Sequence, residues 1–220
     1  METGGQDKAG TQVASPEVPV IEAVVFDLGN VLIGWDPTRV WADTMSGEEI
    51  EEFFAAVDFP RFNHSLDAGR TWAQARAELA ELAPEYVGHV DTYLEAFDRS
   101  LTGPIPGSAD IVTDLKAAGI RVLGLTNWSA ETFHHAPVAA PVLTELEAIL
   151  VSGEVSLAKP DPEIFRLLIT RYDLDPARTV FIDDVAKNVA AAAALGFHAI
   201  LFSDAPTFRA DLQALGVPIL

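Results

Sequence analysis

The chain has 220 residues, which is enough for one sizeable core or for a core domain that carries a smaller insert. It contains 14 lysine and arginine residues against 33 aspartate and glutamate residues, and the net charge of -19 argues against nucleic acid or an anionic membrane as a partner. The absence of cysteine excludes disulfides, thiolate metal sites and cysteine nucleophiles. It is also compatible with the cytoplasmic location that we expect.

The N-terminal segment is polar, contains glycine, serine and proline, and lacks the apolar stretch of a signal peptide. We therefore predict a disordered tail over residues 1–18. No apolar run reaches the roughly 18 residues that a membrane span needs, so we expect no membrane partner.

The first predicted element is a buried strand at residues 21–27, a short run of β-branched and aromatic residues. It ends in Asp27, and the following Leu28-Gly29-Asn30 predicts a tight turn. Residues 37–103 then predict a helical insert without any strand. Its amphipathic helices are predicted at residues 46–54, 71–82 and 85–101.

After the insert, helices and strands alternate. Strands are predicted at residues 121–126, 179–182 and 198–202, with a weaker one at 148–152, and helices at 108–118, 162–172 and 185–195. This alternation predicts an α/β fold, in which a Rossmann-like parallel sheet has helices on both faces. The resulting organisation is a core over residues 19–36 and 104–220 and a helical insert over residues 37–103.

Polar residues follow three of the predicted strands, and a lysine lies on a loop before one of the predicted helices. Each of them alone is typical of a turn or a helix cap. Because ligands of open α/β sheets bind beyond the carboxyl ends of the strands, the combination predicts one functional site. Its members are Asp27, Thr126, Asn127, Lys159, Asp183 and Asp184.

These residues make the chain resemble the haloacid dehalogenase-like (HAD) hydrolase superfamily, from about Ile21 to the C-terminus. The helical insert lies where that family has its type 1 helical cap. The matching motifs are Phe26-Asp27-Leu28-Gly29-Asn30-Val31-Leu32, Leu125-Thr126-Asn127, Lys159-Pro160, and Phe181-Ile182-Asp183-Asp184 with Asn188.

The resemblance implies a phosphatase that hydrolyses a small phosphorylated molecule with Mg²⁺ as cofactor. Asp27 would be the nucleophile and form an aspartyl intermediate. The metal ligands would be Asp27, Asp184 and the carbonyl of Gly29, with Asp183 close by. The transferring phosphoryl group would be bound by Thr126, Asn127 and Lys159, and Lys159 would also hold Asp27 ionised and oriented.

Gly29 departs from the family pattern, because most phosphatases of the superfamily have there a second aspartate that acts as general acid and base. Its loss removes a rate factor of roughly 10²–10⁴. Either a cap residue or water supplies the proton, or the substrate has a good leaving group, or the protein mainly binds its ligand. The Asp27-Leu28-Gly29-Asn30 form is similar to a subgroup with sugar 1-phosphate phosphatases and the phosphatase domain of soluble epoxide hydrolases. That likeness favours a phosphosugar or similar metabolite.

Two other functions remain open. A 2-haloacid dehalogenase uses the same aspartate and needs neither a metal nor a proton for the leaving halide. However, dehalogenases usually carry an aromatic residue at the position of Gly29 and lack the Asp183-Asp184 pair, which without a metal would repel Asp27. A low-turnover protein of the same fold that binds or regulates is the second alternative.

Three residues are predicted to face the site and select the substrate, namely Trp35, His64 and Trp128. Trp35 lies on the exit from the core, and His64 lies with Asn63 and Asp67 in a segment that we predict as a polar loop between cap helices. The alternative is that Trp35 and Trp41 pack the cap on the core and that His64 is an ordinary loop residue.

Overall fold

The computed structural model of the protein describes residues 20–219. The disordered tail that we predict over residues 1–18 lies outside the described residues. Seven strands are found in the described part: β1 Ala23–Phe26, β2 Ile33–Trp35, β3 Leu101–Pro104, β4 Arg121–Thr126, β5 Ala148–Val151, β6 Thr179–Asp183 and β7 His198–Leu201.

Ten α-helices accompany these strands in residues 20–219. They are α1 Gly47–Val57, α2 Phe59–Asp67, α3 Trp72–Leu82, α4 Val87–Glu95, α5 Ser108–Ala117, α6 Ala136–Ala139, α7 Ser152–Val155, α8 Pro162–Tyr172, α9 Ala186–Ala194 and α10 Ala205–Ala214. None of the helices described here combines the length and the apolar composition that crossing a membrane would require.

Five strands form one parallel sheet in the order β5-β4-β1-β6-β7. The central strand β1 is buried on both faces, because Val24 and Phe26 join one apolar cluster while Ala23 and Val25 join the other. Helices cover both faces, as parallel sheets require. The predicted α/β fold is thereby confirmed, including the weaker strand at the edge of the sheet.

The helices α1–α4 form a layer of their own, inserted between β2 and β3. Those two strands pair antiparallel, so the chain leaves the core and returns to it through a two-stranded ribbon. The prediction that residues 37–103 contain no strand was wrong for the last residues of that range, where β3 begins at Leu101. The Leu101-Thr102-Gly103-Pro104 segment has little apolar alternation, and its strand forms because β2 provides a pairing partner.

The segment predicted as a polar loop is the helix α2, so that prediction was also wrong. Pro60 lies in the first turn, where a helix tolerates proline. The apolar residues Phe59, Phe62 and Leu66 are buried at helical spacing. The helix predicted over residues 85–101 is shorter, because α4 ends at Glu95 and a 3-10 turn follows.

An aromatic cluster fills the interior of the cap. Trp41 stacks on Tyr93 with a centroid distance of 5.5 Å and meets the edges of Phe53 and Phe59. Trp41 therefore packs among the cap helices. Trp35 links the two parts, because it belongs to β2 and its indole Nε1 donates to the Tyr93 hydroxyl of α4 at 3.3 Å.

Candidate active site

Polar side chains lie at the carboxyl ends of three neighbouring strands of the sheet. Asp27 directly follows β1, Thr126 is the last residue of β4, and Asp183 is the last residue of β6. Because β4, β1 and β6 are adjacent and parallel, their carboxyl ends meet at the same edge. The residues that the sequence groups into one site are therefore brought together by the fold.

Lys159 lies at the centre of this group, with 1% of its side chain exposed. Its ammonium Nζ is 2.8 Å from Oδ1 of Asp27 and 2.7 Å from Oδ2 of Asp183, and it donates to the carbonyl of Leu125 at 3.0 Å. Burial disfavours the charge, but the two carboxylates outweigh burial and raise the Lys159 pKa. The lysine is therefore a fixed, buried cation.

Asp183 is fully buried and held by several donors. Its Oδ1 accepts from the Val185 N–H at 2.8 Å, and the Asn188 amide donates to both oxygens at 3.0 and 3.1 Å. Together with the Lys159 ammonium, these contacts use most of the acceptor capacity of the carboxylate. Asp183 therefore orients the lysine rather than facing the open cavity.

Asp27, Asp183 and Asp184 form an acidic cluster in which one carboxylate oxygen from each residue lies within 4.8 Å of the other two. Burial raises the pKa of Asp27 to about 7; Lys159 lowers it, and the two other carboxylates add to the increase. Burial and the Asp183 charge also raise the pKa of Asp184. With one ammonium against three carboxylates the cluster has excess negative charge, which, with its hard oxygen ligands, suits a divalent cation.

Asn127 fixes the loop that carries Lys159. Its amide Nδ2 donates to the Lys159 carbonyl at 2.9 Å, and its Oδ1 accepts from the Lys159 N–H at 2.8 Å. The sequence gives no signal for this two-way contact. It positions the lysine, a role additional to the phosphate binding that the motif implies.

A cavity of about 540 Å³ lies above the strand ends, between the core and the cap. The core contributes Asp27, Thr126, Lys159 and Asp184 to its lining, and the cap side contributes Trp35, Asn63, His64 and Asp67.

A smaller chamber of about 100 Å³ adjoins this cavity. Its aromatic lining consists of Trp35, Trp72, Phe97 and Trp128. Gly29, Asn63, Asp67 and Asn127 line both spaces and so mark their junction. Of the three residues predicted to select the substrate, Trp35 lines both spaces, His64 the main cavity and Trp128 the chamber.

Asp67 has a position that the sequence does not reveal. It is half-buried at the C-terminal end of α2, and its Oδ2 accepts from the Asn63 amide one turn earlier at 3.1 Å. Burial raises its pKa to about 7, although the Ser129 backbone N–H and Lys159 act in the opposite direction. The buried spacing of Phe59, Phe62 and Leu66 is the signal from which the helix could have been predicted.

Gly29 leaves open space at the same junction. A Cβ atom built on it would meet no atom within 4 Å outside its chain neighbours. The missing side chain is therefore not replaced by packing, and the position that the family usually fills with an acid is empty volume.

Comparison with known proteins extends these observations. A family model for haloacid dehalogenase-like hydrolases matches residues 21–196. The chain is 25% identical over 199 residues to a sesquiterpene phosphatase of Aspergillus oryzae, a match that covers 88% of this chain and 96% of that protein. It is 27% identical over 214 residues to acyl-CoA dehydrogenase family member 10 of Mus musculus, of which it spans only 19% while 90% of this chain is covered.

A solved structure also resembles most of this chain. It is a HAD-family enzyme of Bacteroides thetaiotaomicron in complex with magnesium and inorganic phosphate. The identity is 26%, the TM-score is 0.65, and the match covers 84% of this chain and 95% of the other. The family match over most of the sequence and the common fold agree with the site described above, and the chain belongs to the haloacid dehalogenase-like hydrolases.

Proposed function

We propose that this hydrolase is a Mg²⁺-dependent phosphatase that cleaves a small phosphate monoester through an aspartyl-phosphate intermediate. The observation that carries the proposal is the buried Lys159 between Asp27 and Asp183, with Asp184 beside them at the base of a cavity. Two relatives support it: one is named a phosphatase, and one was solved with magnesium and inorganic phosphate.

The acidic cluster fits the metal. Asp27, Asp184 and the carbonyl of Gly29 would hold Mg²⁺, while Asp183 stays engaged with Lys159. When bound, the ion neutralises negative charge on the carboxylates and on the phosphate dianion, so that the two can approach each other.

The chain's own residues prepare the nucleophile and receive the phosphoryl group. Oδ1 of Asp27 accepts from the Leu28 N–H at 2.7 Å and pairs with Lys159, and both contacts fix the carboxylate and favour its ionised form. Thr126, Asn127 and Lys159 line the space in front of it and would bind the phosphoryl oxygens.

The cavity and its chamber indicate the substrate class. A phosphosugar or similar metabolite would place its phosphate at Lys159 and its carbon skeleton toward the cap. The aromatic chamber could pack against the apolar face of a sugar ring. It could also receive part of a sesquiterpene, the class in the name of the Aspergillus oryzae relative. We therefore propose phosphosugars first and terpenyl phosphates second.

The acidic cluster also favours a phosphatase over a 2-haloacid dehalogenase. Dehalogenation needs no metal, and three carboxylates close together without a cation oppose the ionisation of the nucleophile. Burial is the main reason for the raised Asp27 pKa, and the Asp183 and Asp184 charges add to the increase.

Phosphate release from a panel of monoesters tests the proposal. The panel contains p-nitrophenyl phosphate, hexose 1-phosphates, hexose 6-phosphates and farnesyl phosphate, each with Mg²⁺ and with EDTA. Asp27→Asn is the inactive control, and 2-chloropropionate with chloride detection tests dehalogenation. Release that needs both Mg²⁺ and Asp27 is expected. Chloride release would show a dehalogenase, and no product from any compound would indicate a binding protein.

A further inference from the structure

The proposed reaction needs a proton donor that the first motif does not provide. When Asp27 attacks phosphorus, the ester oxygen departs as an alkoxide unless it receives a proton. Gly29 has no side chain, and the space around it is open. A side chain that donates this proton would therefore have to come from another element that lines the same junction.

Asp67 is the acid at that junction. It lines the main cavity together with Asp27 and Lys159, and it also lines the aromatic chamber. A phosphoryl group bound at Lys159 with its organic part toward the chamber would have its bridging oxygen between the two spaces. Because Asp67 lines both spaces, its carboxyl would neighbour that oxygen.

The end of α2 that carries Asp67 is fixed to the core. The Asp67 carbonyl accepts from the Ser152 hydroxyl at 2.5 Å, and the Ser152 oxygen in turn accepts from the Trp128 N–H at 2.9 Å. Gly69 has a φ of +95° and approaches Ser156 so closely that a Cβ there would lie 2.4 Å from its hydroxyl oxygen. These contacts hold the carboxyl over the edge of the sheet.

A further contact between cap and core follows directly along the chain. The Trp72 N–H donates to the Glu131 carboxylate, which lies in the loop after β4, at 2.9 Å. The start of α3 is therefore also tied to the core, so the chain is docked on the core at Asp67 itself and again at Trp72. Such support is what a proton donor needs for a constant geometry.

We propose that the Asp67 carboxyl is the general acid and base of this hydrolase, a cap residue that performs the task of the acid missing at Gly29. This inference rests on the proposed phosphatase function. In the first step Asp27 bonds to phosphorus, the P–O ester bond breaks, and the Asp67 proton passes to the leaving oxygen, which departs as alcohol. In the second step water attacks phosphorus, its proton returns to Asp67, and the P–O bond to Asp27 breaks to release phosphate.

The surroundings of Asp67 suit both steps. Burial raises its pKa to about 7, so that acid and base forms coexist near neutral pH. Lys159 and Asp27 of the core and Tyr93 of α4 interact electrostatically with Asp67, and His64, Asp184 and Lys187 line the same cavity. The Asn63 amide holds Oδ2.

The leaving-group dependence of Asp67→Asn tests the inference. The kcat/KM reports the first chemical step, so it should fall about 10²–10⁴-fold with alkyl phosphates and stay near the wild-type value with 2,4-dinitrophenyl phosphate, whose leaving group needs no proton. With that substrate kcat should fall and a burst of 2,4-dinitrophenolate should appear, because the base for the second step is missing. An unchanged kcat/KM with 2,4-dinitrophenyl phosphate would also show that the variant is folded.

Asp58→Asn is the matched control, because it removes one carboxyl from the exposed N-terminal end of the same helix. Asp58 has a left-handed φ of 47°, which asparagine adopts readily. The control should retain the wild-type dependence on the leaving group. Adding Gly29→Asp to Asp67→Asn should restore activity on alkyl phosphates, since the new side chain has open space.

Two failures can be told apart. If the wild-type protein releases no phosphate from any ester, the phosphatase proposal is wrong, and this inference falls with it. The other failure is an active wild type whose kcat/KM falls by the same factor for every leaving group in Asp67→Asn, or does not fall for any. In either case the phosphatase proposal stands and Asp67 is not the acid.

Discussion

The Lys159 ammonium lies 2.8 Å from the Asp27 carboxylate and 2.7 Å from the Asp183 carboxylate, and none of the three groups is more than about a tenth exposed. A buried ion pair has a large desolvation penalty, which its partners offset only as long as all are present. The core of the site is therefore also a point on which the stability of the fold depends.

Lys159→Met should destabilise the protein by about 3–5 kcal/mol, because two buried carboxylates lose their cation. Urea unfolding at pH 7.5 measures the change in the free energy of unfolding. Lys116→Met is the control, since Lys116 pairs with Glu145 at the surface and should have little effect. Equal stability of the two variants would contradict the buried-pair interpretation.

Mg²⁺ should stabilise the wild-type protein by about 2.7 kcal/mol at a concentration about 100 times its Kd. Asp184→Asn should abolish this gain. In EDTA, however, the variant should be no less stable than the wild type, because burial and the Asp183 charge already disfavour ionised Asp184. Thermal unfolding with Mg²⁺ or EDTA measures both effects. Asp173→Asn, at an exposed left-handed position that does not line the cavity, should keep the full Mg²⁺ response.

The sheet and its polar edge could be predicted because their signals are local. Each strand is a short apolar run, and Asp27 and Asp183 lie at the ends of such runs. Parallel pairing then brings those ends together without any information from distant residues.

The parts that could not be predicted depend on long-range contacts. The strand β3 forms because β2 pairs with it, and the Thr102-Gly103 sequence does not favour a strand by itself. The amide of Asn127 binds the backbone of Lys159, 32 residues further along the chain. The helix α2 was missed for a local reason instead: its apolar residues do have helical spacing in the sequence, but Pro60 and the polar residues between them obscured it.

Metal-free protein should lose stability as the pH rises from about 4 to about 7, in part through Asp67. Its pKa is 3.8 for an exposed group and about 7 in the folded protein, so the folded state binds the extra proton in this range. Asp67→Asn should match the wild type near pH 4 and be more stable at pH 8 by up to about 4 kcal/mol. Urea unfolding in EDTA across this range measures the difference. A difference between variant and wild type that does not change with pH would contradict the burial of an ionisable Asp67.

The aromatic chamber should select the organic part of the substrate without affecting the phosphate. Trp128 lines the chamber but not the main cavity, so Trp128→Phe should enlarge the chamber while Asp27 and Lys159 keep their positions. We expect the ratio of kcat/KM values between a hexose 1-phosphate and farnesyl phosphate to change about 10-fold, in line with what a small change of pocket volume produces. The inhibition constant of inorganic phosphate should stay constant.

Trp41→Phe, inside the aromatic cluster of the cap, is the control. It should lower the unfolding temperature and leave the ratio of the two kcat/KM values unchanged. A ratio that responds to both variants alike would show that the chamber does not contact the substrate.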